Sequence, residues 1–333
     1  MWPTWRHIRY TVVCLTMLGV CLVLWTSTVP DHSRPPEPGC PQGRFVTINA
    51  GGRLGNKLCQ YCSLWALQRD SAAARPAWIL PEMERSLGSL FTGLQLPTLP
   101  ARCLERHQVP WYDPILHPWS SAAFWQVSYF QYVKAGGGPP HRPLLLLNNP
   151  CDMKHFDQHR TELLEQLRLR PEVRDEAQRR LRLHTDVQCR RPPGCTFIGV
   201  HVRRTDYAKQ VHLMYDGTLV GEAYLMRALQ LCRSRYRRPV FVVCSDNLAW
   251  VQQRLRGPDI VIAGSSGDGS AGRDMALLAQ CNHTVVTHGT YGYMSAYLAQ
   301  GDVLAPTGFG RRDAFLAEAM TNRGLNITAV QAF

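Results

Sequence analysis

The sequence predicts an α/β protein whose carboxyl-terminal half is a parallel, doubly wound sheet. Three observations carry that prediction. From residue 196 onward the apolar runs TFIGVHV, PVFVVCS, DIVIA, HTVVT and VLAP alternate with the helical patterns EAYLMRALQLCRSRY, NLAWVQQRL, RDMALLAQ and YGYMSAYLAQ. The 26 Gly and 23 Pro are spread over many short clusters that punctuate these changes of period. Hydrophobic residues are 45% of the 333 and charged residues 19%, a balance that excludes a disordered, collagenous or coiled-coil chain.

Taken in order, residues 1–9 carry Arg6, His7 and Arg9, and residues 10–30 carry no charged side chain. The run TVVCLTMLGVCLVLW is apolar enough for the roughly 20 residues of helix that cross a bilayer. With the positive charges before it and Asp31 after it, the short amino end faces the cytosol and the rest a lumen, as in a signal-anchor. A cleaved signal peptide is the rival, but the apolar run is long for one and no clean A-x-A site follows. Residues 31–44, DHSRPPEPGCPQGR, form a Pro-rich stem.

Cys14 and Cys21 fall in the span, which leaves the remaining cysteines to an oxidising compartment. Cys189 and Cys195, split by RRPPG, suit a local loop closure, while Cys59-Gln-Tyr-Cys62 lacks a second pair at ligand spacing and reads as packing. Asn282-His-Thr284 and Asn326-Ile-Thr328 are glycosylation sequons, with Asn282 and Asn326 as the acceptors.

In the 45–190 half, FVTINA alternates as a strand, GGRLGN turns, and KLCQYCSLWALQRD runs at helical spacing. Residues 81–143 are irregular and rich in Pro and aromatics, LLLLN at 144–148 is a buried strand, and Pro171 parts two amphipathic helical pieces. Lys plus Arg exceed Asp plus Glu by 37 to 25, which favours an anionic partner. The mixed signs of the linking helices and a lumenal setting exclude nucleic acid as that partner.

Ligands of parallel sheets bind outside the carboxyl ends of the strands, which puts chemistry on the loops at 201–217, 245–247, 263–274 and 287–292. GVHVRRTDY places His201, Arg203, Arg204 and Asp206 there. Guanidinium forks bind phosphate oxygens bidentately, and paired arginines neutralise a leaving diphosphate without a metal. No D-x-D occurs in the chain, which favours that metal-free solution. The bland alternative is a surface ion pair of Arg204 with Asp206. GGRLGN offers N–H groups at a helix start beside Arg53 and Asn56, either an anion site or simply a flexible turn. Asp274, at an expected helix start, is either a cap or an acceptor for a guanine base. The turn HGTYG leads into a helix with the same anion-binding geometry.

GGRLGN, EVRDEAQ, GVHVRRTDY, PVFVVCSDNLAWV and RDMALLAQCNHTVVTHGTYGYMSAYLAQGD together resemble the galactoside α-1,2-fucosyltransferases, glycosyltransferase family 11, over most of residues 45–310. The resemblance implies a GT-B-like fold of two Rossmann-like halves. Residues 45–190 form an acceptor-side domain with linking helices, and 191–333 a GDP-fucose-binding domain, behind a type II anchor in the Golgi membrane. It also implies inverting, metal-independent transfer of fucose from GDP-fucose to the 2-hydroxyl of terminal β-galactose on glycoproteins or glycolipids, with no cofactor. Carried over by position, His201, Arg203 and Arg204 meet the diphosphate and Asp274 the guanine. Thr290, Tyr291 and Gly292 make the phosphate-side turn, and Arg53, Gly55 and Asn56 close the cleft. Asp206 is the expected proton acceptor, with His201 behind it, or else it orients Arg203. Thr205 stands where the family usually has Gly and the α-1,6 enzymes have Thr. That leaves another linkage open, and the GNKLCQYC segment, His288 and the carboxyl end, which also depart from the usual pattern, leave the acceptor open. A separate alternative is an inactive lectin-like relative that binds sugar through the aromatic residues of 110–132.

Overall fold

The computed structural model describes residues 12–14, 21–23, 40–41, 43–70, 75–103, 111–112, 133, 143–147, 150–189, 194–267, 269–311 and 325–333. Two short strands, Val12–Cys14 and Cys21–Val23, pair antiparallel within a unit spanning residues 1–39. These six residues are extended where the sequence reading expected a membrane-spanning helix; Val-rich triplets suit a pleated backbone as well as an apolar helix. The rest of 10–30, the 1–9 end and residues 31–39 lie outside the described residues. Among the described residues no helix is long and apolar enough to cross a membrane.

The second unit, Cys40–Phe333, holds two parallel sheets. The smaller contains β1 (Val46–Ile48), β2 (Trp111–Tyr112) and β3 (Leu144–Leu146) in the order β1-β3-β2. Of the aromatic 110–132 segment only Trp111 and Tyr112 are described.

Helix α1 (Leu54–Asp70) is buried almost without a break from Gly55 to Leu67, so it has no solvent face and shows little amphipathic character. Lys57 and Ser63, polar and buried, find partners. Lys57 pairs with Glu82 of α2 (Pro81–Gly88) at 2.6 Å, and the Ser63 hydroxyl donates to the Cys59 carbonyl while accepting from the Asp152 N–H. Cys59 is disulfide-bonded to Cys151, which corrects the packing reading of Cys59-Gln-Tyr-Cys62, and of that pair only Cys62 remains a buried thiol. Cys40 joins Cys103, and Cys189 closes on Cys195 across its short loop. After α3 (Met153–Phe156) and α4 (Arg160–Gln166), Pro171 opens α5 (Pro171–Cys189) at the first helical position, where its missing N–H costs nothing.

The larger sheet contains β4 (Thr196–Val202), β5 (Pro239–Ser245), β6 (Ile260–Ile262), β7 (His283–Val286), β8 (Val303–Thr307) and β9 (Ile327–Gln331). All pairs are parallel, in the order β9-β8-β7-β4-β5-β6. Connecting helices are α6 (Tyr207–Tyr215), α7 (Glu222–Arg235), α8 (Leu248–Arg254), α9 (Ser270–Leu278) and α10 (Thr290–Ala299). Alternation along β5 shows why helices cover both faces: Phe241 and Val243 pack with Leu225 and Leu229 of α7, while Val240, Val242 and Cys244 pack with Leu181 of α5 and Leu277 of α9. The chain runs outward from β4 to β6, then returns to lay β7 on the other side of β4. A crevice therefore opens between the carboxyl ends of β4 and β7.

Two elements around the larger sheet were not expected. Helix α6 lies where the sequence suggested a polar loop, since its inward residues Val211 and Tyr215 are too few to show a period. Strand β9 adds an edge to the sheet in the second sequon.

Candidate active site

A cavity of about 830 Å³ occupies the crevice, within the size range of sites that hold small ligands. The amino ends of α1, α6, α9 and α10 border it. Each brings the partial positive end of a helix, so the rim favours an anion before any side chain is counted.

Arg203 lies just past β4. Its backbone N–H donates to Thr287 Oγ1 at 2.8 Å, tying the ends of β4 and β7 together. Its guanidinium reaches Asp206 at 2.7 Å and Asp246 at 3.0 Å and lies over the Tyr207 ring. Arg53, largely exposed on the facing turn, sits 3.6 Å from Asp206. Asp206 thus pairs with Arg203 and Arg53, and the alternative pairing with Arg204 does not form.

Arg204 departs from the expected role. Its guanidinium stacks 3.8 Å from the Trp250 ring centre and donates to the Val220 carbonyl, and it does not line the cavity. Adjacent residues leaving a strand point to opposite sides, so only one arginine of the pair faces the crevice.

His201, the penultimate residue of β4, is buried against Tyr291, with ring centres 4.8 Å apart. Burial, helped by the Arg203 charge, pushes its pKa down to about 4, so the ring is neutral at physiological pH and a weak proton acceptor. Gly292 serves this ring sterically. A Cβ there would lie 2.7 Å from His201 Nδ1, and Gly292 itself does not line the cavity. Gly55 is likewise a close-approach residue, since a Cβ would sit 2.5 Å from the Tyr291 backbone where α1 meets α10. Across that contact Thr290 Oγ1 donates to Asn56 Oδ1. Tyr291 donates its hydroxyl to the Ala271 carbonyl at 2.6 Å, holding α9 to α10.

Asp274 lines the cavity but is not a cap, because α9 begins at Ser270 and puts Asp274 in the second turn. It accepts from the Ser265 N–H and hydroxyl, at 3.0 and 2.7 Å, and from Arg180 at 3.3 Å. Burial still pushes its carboxyl above the usual range, and those donors pull the other way.

Sequence reasoning marked the 245–247 loop but not Asp246 within it, and it did not single out His288 as a site residue. The His288 Nε2 accepts from the Val220 N–H at 3.1 Å, which puts the proton of the neutral ring on Nδ1. Burial pushes its pKa down to about 3. The ring stacks on Tyr207, walling the cavity beside Arg203. Among the described residues no group of three His, Cys, Asp or Glu side chains is placed to hold a metal ion.

The sequons lie far from this chemistry in the sheet, since Asn282 and Asn326 directly precede β7 and β9 at their amino ends. Both are exposed. Asn282 Oδ1 accepts from the Phe197 N–H, and the Asn326 carboxamide donates to Asp302.

The model of Glycosyl transferase family 11 matches residues 15–322. The chain belongs to that family. It is 39% identical over 283 residues to galactoside alpha-(1,2)-fucosyltransferase 2 of Sus scrofa, covering 84% of this chain and 77% of the relative. It is 38% identical over 266 residues to galactoside 2-alpha-L-fucosyltransferase SEC1 of Bos taurus, covering 79% and 67%. Among solved structures, NodZ alpha-1,6-fucosyltransferase soaked with GDP-fucose superposes with a TM-score of 0.48 at 16% identity, over 78% of this family 11 chain and 92% of its own.

Proposed function

We propose that the protein is a galactoside α-1,2-fucosyltransferase that moves fucose from GDP-fucose to the 2-hydroxyl of a terminal β-galactose. The observation that carries this reading is Arg203. In a family 11 chain, its guanidinium faces a cavity of about 830 Å³ at the point where strand order reverses. The names of the relatives at 39% and 38% identity support the sugar and the linkage.

In this reading the diphosphate lies against Arg203, Arg53 and the amino ends of α1 and α10, with the base towards Ser265 and Asp274. The bond between the anomeric carbon and the diphosphate oxygen breaks as the acceptor oxygen bonds to that carbon from the opposite face. The anomeric configuration inverts, and GDP leaves with the bonding electrons. Arg203 and the helix ends stabilise the charge that develops on it, the largest lever available to a site of this kind. Asp206, part exposed at the rim, takes the proton of the acceptor hydroxyl. His201, kept neutral, offers the diphosphate a hydrogen bond and no charge. Positive charge from these groups makes transfer independent of a divalent ion.

The chain works in the Golgi lumen, anchored through 10–30. Three disulfides in the 40–195 region, two sequons and the basic flank of the apolar run all suit that compartment. Purified protein incubated with GDP-fucose and a β-galactoside is expected to give α-1,2-linked fucose by linkage analysis, at the same rate with and without a chelator. Fucose on another position overturns the linkage, loss of activity in chelator overturns the metal-free chemistry, and no transfer overturns the reading.

A further inference from the structure

One carboxylate outside the expected set gathers the whole 203–205 turn. Asp246 follows β5 directly, and Val202 of β4 is registered opposite Ser245, so Asp246 stands beside Arg203 at the first step past the sheet. Its Oδ1 accepts from the Arg204 N–H at 2.8 Å. Its Oδ2 accepts from the Thr205 hydroxyl at 2.5 Å and the Thr205 N–H at 3.2 Å, and it meets the Arg203 guanidinium at 3.0 Å. Three consecutive residues converge on one carboxylate that is itself mostly shielded, with 17% of its side chain exposed.

Two of those contacts have a familiar logic. The Arg204 and Thr205 N–H groups lie in the turn just ahead of the Asp206 N-cap of α6, and Asp246 satisfies both from a neighbouring strand. The other two reach side chains. Arg203 has a second carboxylate, Asp206, on the opposite flank, so its fork is held in one plane between them. The direction of that plane depends on where Asp246 stands, and the Thr205 hydroxyl is the short bond that holds the Asp246 carboxylate in place.

We propose that Asp246 is a positioning residue that aims Arg203 at the diphosphate of the donor, and that Thr205 acts through it. The proposal rests on the fucosyl-transfer reading for its substrate but on the hydrogen-bond geometry for its logic. A hydroxyl bonded to a charged acceptor predicts a loss of about tenfold in kcat for Thr205→Val, with a smaller loss in GDP affinity and only a small fall in Tm, because Asp246 keeps its other donors. Thr205→Ser, which keeps the hydroxyl, recovers most of that loss.

The decisive measurement is the cycle with Asp246→Asn, run on both kcat and the Kd for GDP measured by calorimetry. Thr205→Val in the Asp246→Asn background is expected to cost much less than in the wild type, because the amide has lost the negative charge that the hydroxyl holds in place. Multiplying effects, or equal losses for Val and Ser at 205, overturn the proposal. Should Asp246→Asn not fold, the contrast between Val and Ser at 205 decides alone. If the wild-type protein transfers no fucose, the functional reading has failed, and the same cycle on GDP affinity still decides the role of Asp246.

Discussion

The two rims of the six-stranded sheet use the same vocabulary to opposite ends. At the amino rim Arg233 forks onto Asp259 at 2.7 and 3.0 Å, and the Tyr236 hydroxyl donates to Asp302 at 2.6 Å. The His283 ring stacks on Tyr236 with centres 4.0 Å apart. Asp302 also accepts from Asn326 and meets His283, so these groups are spent on one another, and none of them lines the cavity. At the carboxyl rim Arg203 is shared between two carboxylates, Asp206 between two arginines, and two histidines are buried neutral beside a cavity. Paired polar groups at the first rim close the structure, whereas those at the second are arranged around a space. The asymmetry follows from direction: in a parallel sheet the carboxyl ends of strands meet the amino ends of helices, so only that rim attracts an anion.

Removing one arginine from each rim breaks the comparison most sharply. Arg203→Ala is expected to lower kcat by about 10² to 10³, the scale of a single preorganised electrostatic donor, with little change in Tm. Equal loss of folding and turnover would make Arg203 a structural ion pair like its counterpart. Gly292→Ala tests whether the carboxyl rim tolerates added volume. Its Cβ meets the buried His201 ring, so kinetics and denaturant melts together should show lowered turnover and about 2 kcal/mol of lost stability.

Acid weighs most on the carboxyl rim, although burial also lowers the pKa of His283 at the amino rim. His201 and His288 have folded pKa values of about 4 and about 3, against an ordinary value near 6.5. Between those limits the unfolded chain binds more protons than the folded one, so stability falls as pH drops below about 6.5, by up to about 1.4 kcal/mol per pH unit for each ring. Melting curves from pH 7 to pH 5 should show this, and replacing His288 by Gln should flatten the dependence. A variant as steep as the wild type would place the protons elsewhere. The smallest effect is expected from Arg233→Ala, whose pair with Asp259 is partly exposed. It should cost about 1 kcal/mol or less in a melt and leave transfer intact, and a large loss of activity would show that the amino rim also serves the site.

Much of this is legible in the residues themselves. The strands at 196–202 and 239–245 and their following helices announce themselves through period, because both faces of each strand are buried and β-branched residues fill them. The carboxyl-end rule, applied to these strands and to those at 260–262 and 283–286, locates the loops of Arg203, Asp206, Asp274 and Thr290, and all four residues line the cavity. Local pattern fails where burial is thin. Helix α6 has only one narrow inward edge, and α9 starts at Ser270 within a Gly and Ser cluster that reads as loop, so Asp274 lies a turn deeper than expected.

The alternation of elements, and the end of the sheet on which ligand chemistry belongs, follow from the chain alone, because both depend on spacing along the backbone. Which side chains meet depends on the register of β4 against β5 and β7, and no local spacing encodes that. Only the folded sheet turns Arg204 onto Trp250 and away from the crevice, brings Asp246 under the 203–205 turn, and presses Gly292 against His201. Hydrogen bonds and steric contacts act over a few ångströms, so they form between residues that are neighbours in space, however far apart they stand in sequence.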